Sequence, residues 1–216
     1  MAWPTNTLTS SIGKKSLMAI SGLLLGFFVL AHLLGNATAL AGRAAFIAYA
    51  EQLHALGRLL LLFEGLLLAL FLCHVITALL LWFSNRAARP VGYAVSAGAG
   101  GRTIASRSMF YSGLFILLFL AVHLRQFHFG DQELAVADLV RETLRSPLMA
   151  AFYLAGIAAL ALHLSHGFWS LWQSLGIEHP KYHKFLRQGA VVLALLIGLL
   201  FSLLPLGVLF CPPFLL

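Results

Sequence analysis

Five long apolar runs, at about residues 15–40, 59–83, 108–129, 148–175 and 185–210, constrain this chain more than any other feature of its sequence. Each exceeds the ~18 apolar residues that separate a membrane span from a buried core helix. At about 1.5 Å of rise per residue each can cross a hydrocarbon core of ~30 Å. Hydrocarbon offers no partner to a backbone N–H or C=O, so a segment inside it must satisfy its own hydrogen bonds, which a lone run does as a helix. The expected fold is an all-α membrane protein: one domain over residues 1–216, with five transmembrane helices in a bundle. Composition agrees, with 61% hydrophobic and 10% charged residues against ~25% charged in an ordinary soluble domain. Lys14 and Lys15 precede the first run as they would in a signal peptide, but the run is too long and no clear cleavage site follows. It is read as a retained helix.

Charge fixes a direction. Lys14, Lys15, Arg86, Arg89, Arg102, Arg107, Lys181, Lys184 and Arg187 fall on one side of the spans. The other side has Arg43, Arg58, Arg125, Arg141 and Arg145, diluted by Glu51, Asp131, Glu133, Asp138 and Glu142. The positive-inside rule then places the N-terminus in the cytoplasm and the C-terminus outside. Topology accounts for the net charge of +7 without nucleic acid. The basic inner face serves either as an orientation signal alone or also as a docking surface for a cytoplasmic partner.

Few familiar chemistries are present. The second loop, residues 84–107, contains Pro90 and the stretch GAGG at 98–101, which reads as irregular chain. GAGG lacks the GxGxxG spacing and the flanking strand of a dinucleotide site. There is no phosphate loop, no cysteine cluster and no catalytic triad in the sequence. Histidine is what remains. Of nine histidines, His32, His74, His123 and His163 fall one in each of the first four spans, and ionisable residues inside a membrane are costly and usually functional. His32 and His123 lie 17 and 16 residues beyond Lys15 and Arg107, about 25 Å from the inner boundary. His74 and His163 each lie 16 residues beyond Arg58 and Pro147, about 24 Å from the outer boundary. Two cross-bundle pairs are expected: His32 with His123 toward the outside, and His74 with His163 toward the cytoplasm, the levels differing by about 7 Å for upright helices.

Neutral imidazole is a good haem ligand, and two of them fill both axial positions of an iron, which favours electron transfer over oxygen binding. Two haem b groups are therefore expected, both noncovalent, because Cys73 and Cys211 form no CxxCH attachment motif. The order of ligands repeats, an outer then an inner histidine in spans one and two and again in three and four, with only AHLL against VHLR as sequence similarity. His166, within about 60° of His163 around the helix, is the competing ligand. His163 is preferred on depth and because Gly167 leaves room for a flat ring one turn on. His166 is then free to bond a propionate or a quinone. His54, His128, His179 and His183 read as solvated surface histidines.

At these residues the chain resembles the diheme cytochrome b subunit of succinate:quinone oxidoreductases, a family that includes menaquinol:fumarate reductases. The motifs are SGLLLGFFVLAHLLGN at 21–36, RSMFYSG at 107–113, HLRQFHFG at 123–130 and HLSHGFW at 163–169. The family's four axial ligands fall on His32, His74, His123 and His163. The resemblance implies a bacterial cytoplasmic-membrane complex. In it a flavoprotein subunit with covalently bound FAD interconverts succinate and fumarate, an iron-sulfur subunit passes electrons, and this chain anchors both and exchanges electrons with menaquinone. The dicarboxylate site would lie outside this chain, and the resemblance allows a dimer of the whole complex. Ala161 departs from members that have a proton-transferring glutamate there.

Further site residues are expected from charge and position. Arg107, Ser108 and Tyr111 begin the third span near the inner propionates, and Arg suits bidentate carboxylate binding. Glu64, six residues into the second span from Arg58, is expected near the outer haem as a proton acceptor in quinol oxidation, or else as an ion-pair partner of Arg43, Arg58 or Arg125. A second quinone site around His166 and Tyr111 stays open. So do other functions: a cytochrome b subunit of a membrane hydrogenase or formate dehydrogenase, a transporter using histidines as proton relays, and a haem-free anchor.

Overall fold

The computed structural model describes residues 10–88, 104–131, 133–211 and 214. Arg89, Pro90, the 98–101 stretch and Arg102 of the second loop lie outside them. Among the described residues there are seven α-helices and no strand: α1 Ser11–Ala37, α2 Arg43–His54, α3 Arg58–Ala87, α4 Ile104–His123, α5 Val136–Leu144, α6 Pro147–Ser174 and α7 His183–Phe210. Helices α1, α3, α4, α6 and α7 are long and apolar enough to cross a membrane, so the chain is a multi-pass membrane protein built on the five apolar runs. Capping is local. The Ser10 hydroxyl accepts from the Gly13 N–H at the head of α1, and Pro147 opens α6, where its missing N–H costs nothing. Pro205 lies inside α7, which continues to Phe210, so it does not end the helix.

Helix α1 packs on α3, α6 and α7, and α4 packs on α6, giving the spatial order α3–α1–α6–α4 with α7 against both α1 and α6. Leu33, Leu164, Ala194 and Ile197 form the core shared by α1, α6 and α7. Helix α3 is different: Thr77 is its one buried residue, and Leu61, Leu66 and Leu68 are more than half exposed. Such leucines are covered by lipid, which is as apolar as the protein and gives no drive to bury them. Ser112 is likewise the one buried residue among those described in α4. The inner side of the α3 and α4 faces is therefore polar rather than a leucine core.

The connections on the face opposite the N-terminus contain two helices that the apolar runs do not predict. In α5, Ala137, Val140 and Leu144 fall at i, i+3 and i+7 and are buried. They join Phe46 of α2, Tyr153 of α6 and Val208 of α7 in a core that seals this end. Arg43 of α2 donates to both carboxylate oxygens of Asp138 of α5, at 2.7 and 2.8 Å. The guanidinium holds the Asp138 carboxyl below its usual range, and the carboxylate raises the Arg43 pKa in return. Gly42 and Gly57 bracket α2 at positive φ, 104° and 52°, a backbone that other residues rarely adopt.

Candidate functional site: two histidine pairs

The four spans α1, α3, α4 and α6 bring their histidines together two by two. His32 of α1 and His123 of α4 have ring centroids 5.8 Å apart and planes at 89°. His74 of α3 and His163 of α6 are 6.4 Å apart, with planes at 68°. These are the partners that the depth argument assigns. The second pair, nearer the N-terminal face, is called inner and the first outer. Two nitrogen–metal bonds of ~2 Å, with each ring centre ~1 Å behind its nitrogen, separate the centroids of a bis-imidazole iron by ~6 Å. Both pairs fit that span. No third His, Cys, Asp or Glu gathers with them among the described residues.

The separation of the levels departs from expectation. His74 rests against the first half of α1, where a Cβ on Gly22 would lie 3.2 Å from its Cε1. His32 follows Gly22 by ten residues on the same helix, which places the two levels ~15 Å apart along it, not ~7 Å. The ~7 Å figure compares rises counted from charged residues on opposite faces, whereas ~15 Å is the rise along the single helix α1. The two pairs can then lie one above the other without a large sideways offset.

An internal repeat organises both levels. Met18-x-x-Ser21-Gly22 with Phe28 and His32 on α1 recurs at identical spacing as Met109-x-x-Ser112-Gly113 with Phe119 and His123 on α4. In each copy the serine reaches the inner histidine of the next span: Ser21 Oγ lies 3.1 Å from His74 Nδ1, and Ser112 Oγ 3.3 Å from His163 Nδ1. In each copy the phenylalanine stacks on the outer histidine of its own helix, Phe28 on His32 at 5.6 Å and Phe119 on His123 at 5.7 Å. Each pair thus takes one histidine from each repeat. None of these serines, glycines and phenylalanines is singled out by the histidine depths. The signal that could have found them is the MxxSGL heading shared by α1 and α4, the two helices that carry the outer histidines.

The other candidate residues are placed variously. His166 packs edge-on against Trp169 at 5.7 Å. Its Nδ1 and the Trp169 Nε1 are both buried without a hydrogen-bond partner, so each could serve a ligand's oxygen. Trp169 also meets His183, which bonds Glu178, and lies beneath the Arg187 guanidinium. The His183 side chain keeps 42% of its surface exposed beside these contacts. A Cβ at Gly167 would meet nothing within 4 Å. Tyr111 is 70% exposed and is not brought to either pair, Arg107 is exposed, and the Ser108 hydroxyl donates to the Ala105 carbonyl. Glu64 sits 3.9 Å from His128, while Arg43 is engaged by Asp138 and Arg125 donates to the Phe129 carbonyl. His128 closes a π-turn, Leu124–His128, that prolongs α4. Ala161 faces α7, where a Cβ on Gly198 would come within 3.1 Å of its own. No family model, no curated protein and no solved structure matches this chain.

Proposed function

We propose that this chain is the diheme cytochrome b anchor of a succinate:quinone oxidoreductase or quinol:fumarate reductase, exchanging electrons between menaquinol and cytoplasmic iron-sulfur and flavoprotein subunits. The observation that carries the reading is the meeting of four intramembrane histidines in two pairs at ~6 Å, a span that suits bis-histidine iron. His32 and His123 would hold the outer haem b, and His74 and His163 the inner one. When bound, each haem would supply reversible one-electron transfer.

The chain's own residues do the rest. Phe28 and Phe119 hold the outer rings in plane, and Ser21 and Ser112 engage the inner ones. Lys14, Lys15, Arg86, Arg107, Lys181, Lys184 and Arg187 mark the N-terminal face as cytoplasmic and offer the partner subunits a basic surface. His166 and Trp169 have nitrogens suited to a propionate or quinone oxygen on that side. Glu64, only half exposed and close to His128 at the outer end of α3 and α4, would take a proton from quinol.

Reduced-minus-oxidised spectra and iron analysis of the purified complex test this. Two low-spin b-type haems per chain are expected, with the outer lost from His32→Ala or His123→Ala and the inner from His74→Ala or His163→Ala. A protein without haem absorption, or loss of the same haem from His32→Ala and His74→Ala, would overturn it.

A further inference from the structure

We infer that Ser21 and Ser112 are positioning residues that lock the inner histidines in the Nδ1–H tautomer and make the inner pair a stronger electron donor to its metal than the outer pair. This rests on the two-haem reading above. Each hydroxyl has a single proton to donate. Ser21 Oγ is 3.2 Å from the Met18 carbonyl as well as 3.1 Å from His74 Nδ1. Ser112 Oγ repeats this with the Met109 carbonyl at 3.2 Å and His163 Nδ1 at 3.3 Å. With Nδ1 turned to the serine, only Nε2 is left for a metal; a neutral imidazole ligating there keeps its proton on Nδ1, so the serine lone pair faces the ring and the hydroxyl proton goes to the carbonyl, which only accepts. Nδ1 must then donate. In a neutral imidazole with its proton on Nδ1, the free lone pair is on Nε2, available to a metal. The glycine after each serine lets the ring approach the backbone, since a Cβ would lie 3.2 Å from His74 Cε1 or 3.5 Å from His163 Cε1.

The outer pair has no equivalent. His123 Nδ1 is buried without a partner, and its ring is held by Phe119, Phe127 and Tyr153. His32 lies against Phe28 and Phe201. Aromatic packing fixes the plane of a ring but does not choose which nitrogen carries the proton. A hydrogen bond given by Nδ1–H raises the basicity of the ligating nitrogen, and a more basic axial ligand favours ferric over ferrous iron, lowering the potential. One repeated motif therefore builds two electronically unequal sites.

The test is an optical redox titration of the complex carrying Ser21→Ala, Ser112→Ala or both, with Ser21→Thr and Ser112→Thr as conservative variants. The inner component is identified as the one missing from His74→Ala. Its midpoint should rise in each alanine variant, rise further in the double variant and return toward wild type with threonine, while the outer component stays in place. An unmoved inner midpoint with haem retained, or equal shifts of both components, overturns the inference. A second readout needs no haem: nitrogen-15 NMR of the histidine-labelled, haem-free full chain. Two Nδ1–H tautomers, absent from His74→Ala and His163→Ala respectively, should give way to mixtures in the double alanine variant. An identical tautomer distribution in wild type and variant overturns the assignment. Failure of any preparation to bind haem would count against the two-haem reading, and the NMR result would still decide the serines.

Discussion

Gly156→Ala places one methyl group where the outer site is tightest. A Cβ at residue 156 would lie 2.3 Å from Phe119 Cδ2 and 2.7 Å from both Cε2 and Cγ, against the ~3.5–4.0 Å of an ordinary carbon–carbon contact. The Phe119 ring must therefore move by more than ~1 Å. It has little freedom, because Tyr153 lies 5.2 Å, His123 5.7 Å and Phe152 5.9 Å from its centre. Overpacking of this kind costs ~1–3 kcal/mol, offset by up to ~1 kcal/mol from the better helix propensity of alanine. A net loss of ~1–2 kcal/mol is expected. Because Phe119 stacks on His123, the damage should appear at the outer site first. Thermal unfolding in detergent and separate optical titration of the two sites measure both effects. Gly189→Ala is the control, since nothing lies within 4 Å of that added Cβ, and it should be neutral or stabilising. Wild-type stability with an unchanged outer site in Gly156→Ala would refute the packing argument.

The remaining predictions concern the face opposite the N-terminus. Tyr153→Phe removes the 2.7 Å bond from the Tyr153 hydroxyl to Gln126 Oε1 between α6 and α4; a loss of ~1 kcal/mol in detergent unfolding is expected, and none would mean the bond is not formed. For Arg43 and Asp138, a depressed carboxyl stabilises above its unfolded value of ~3.9 and is lost as pH falls through its lower folded value. The raised guanidinium acts in the opposite sense at the alkaline end. Amide-exchange protection of residues 136–144 should thus be flat from pH 5 to 8 and fall only below about 4, whereas Asp138→Asn should lower it throughout. Glu64→Gln should slow quinol-linked turnover while both haem spectra and dye-linked succinate or fumarate activity stay intact; a wild-type quinol rate would remove Glu64 from the proton path.

Much of the site was legible before the fold. A histidine such as His74 or His163 inside a run of leucines is expensive enough to announce itself, and helical rise converts its position into a depth. Depth pairs were therefore readable, but the distance between them was not, because it depends on how helices counted from opposite faces are set against one another. The partner of Glu64 was not readable either. Arg43, one expected partner, is taken by Asp138, on a helix some ninety-five residues away, and His128 of the turn beyond α4 comes within 3.9 Å only in the folded bundle.

By itself the sequence determined the five membrane helices and the four histidines within them, since both follow from what each residue costs in hydrocarbon, a local property. The tertiary structure decided which faces meet: α1 and α6 around α7, α5 folded onto α2, and the two MxxSG turns set against the inner histidines of other spans. That choice lies outside local reach because lipid does not drive one apolar helix face onto another. Close approach at small residues, such as Gly22 under His74 and Gly113 under His163, and a few hydrogen bonds between helices select the packing instead.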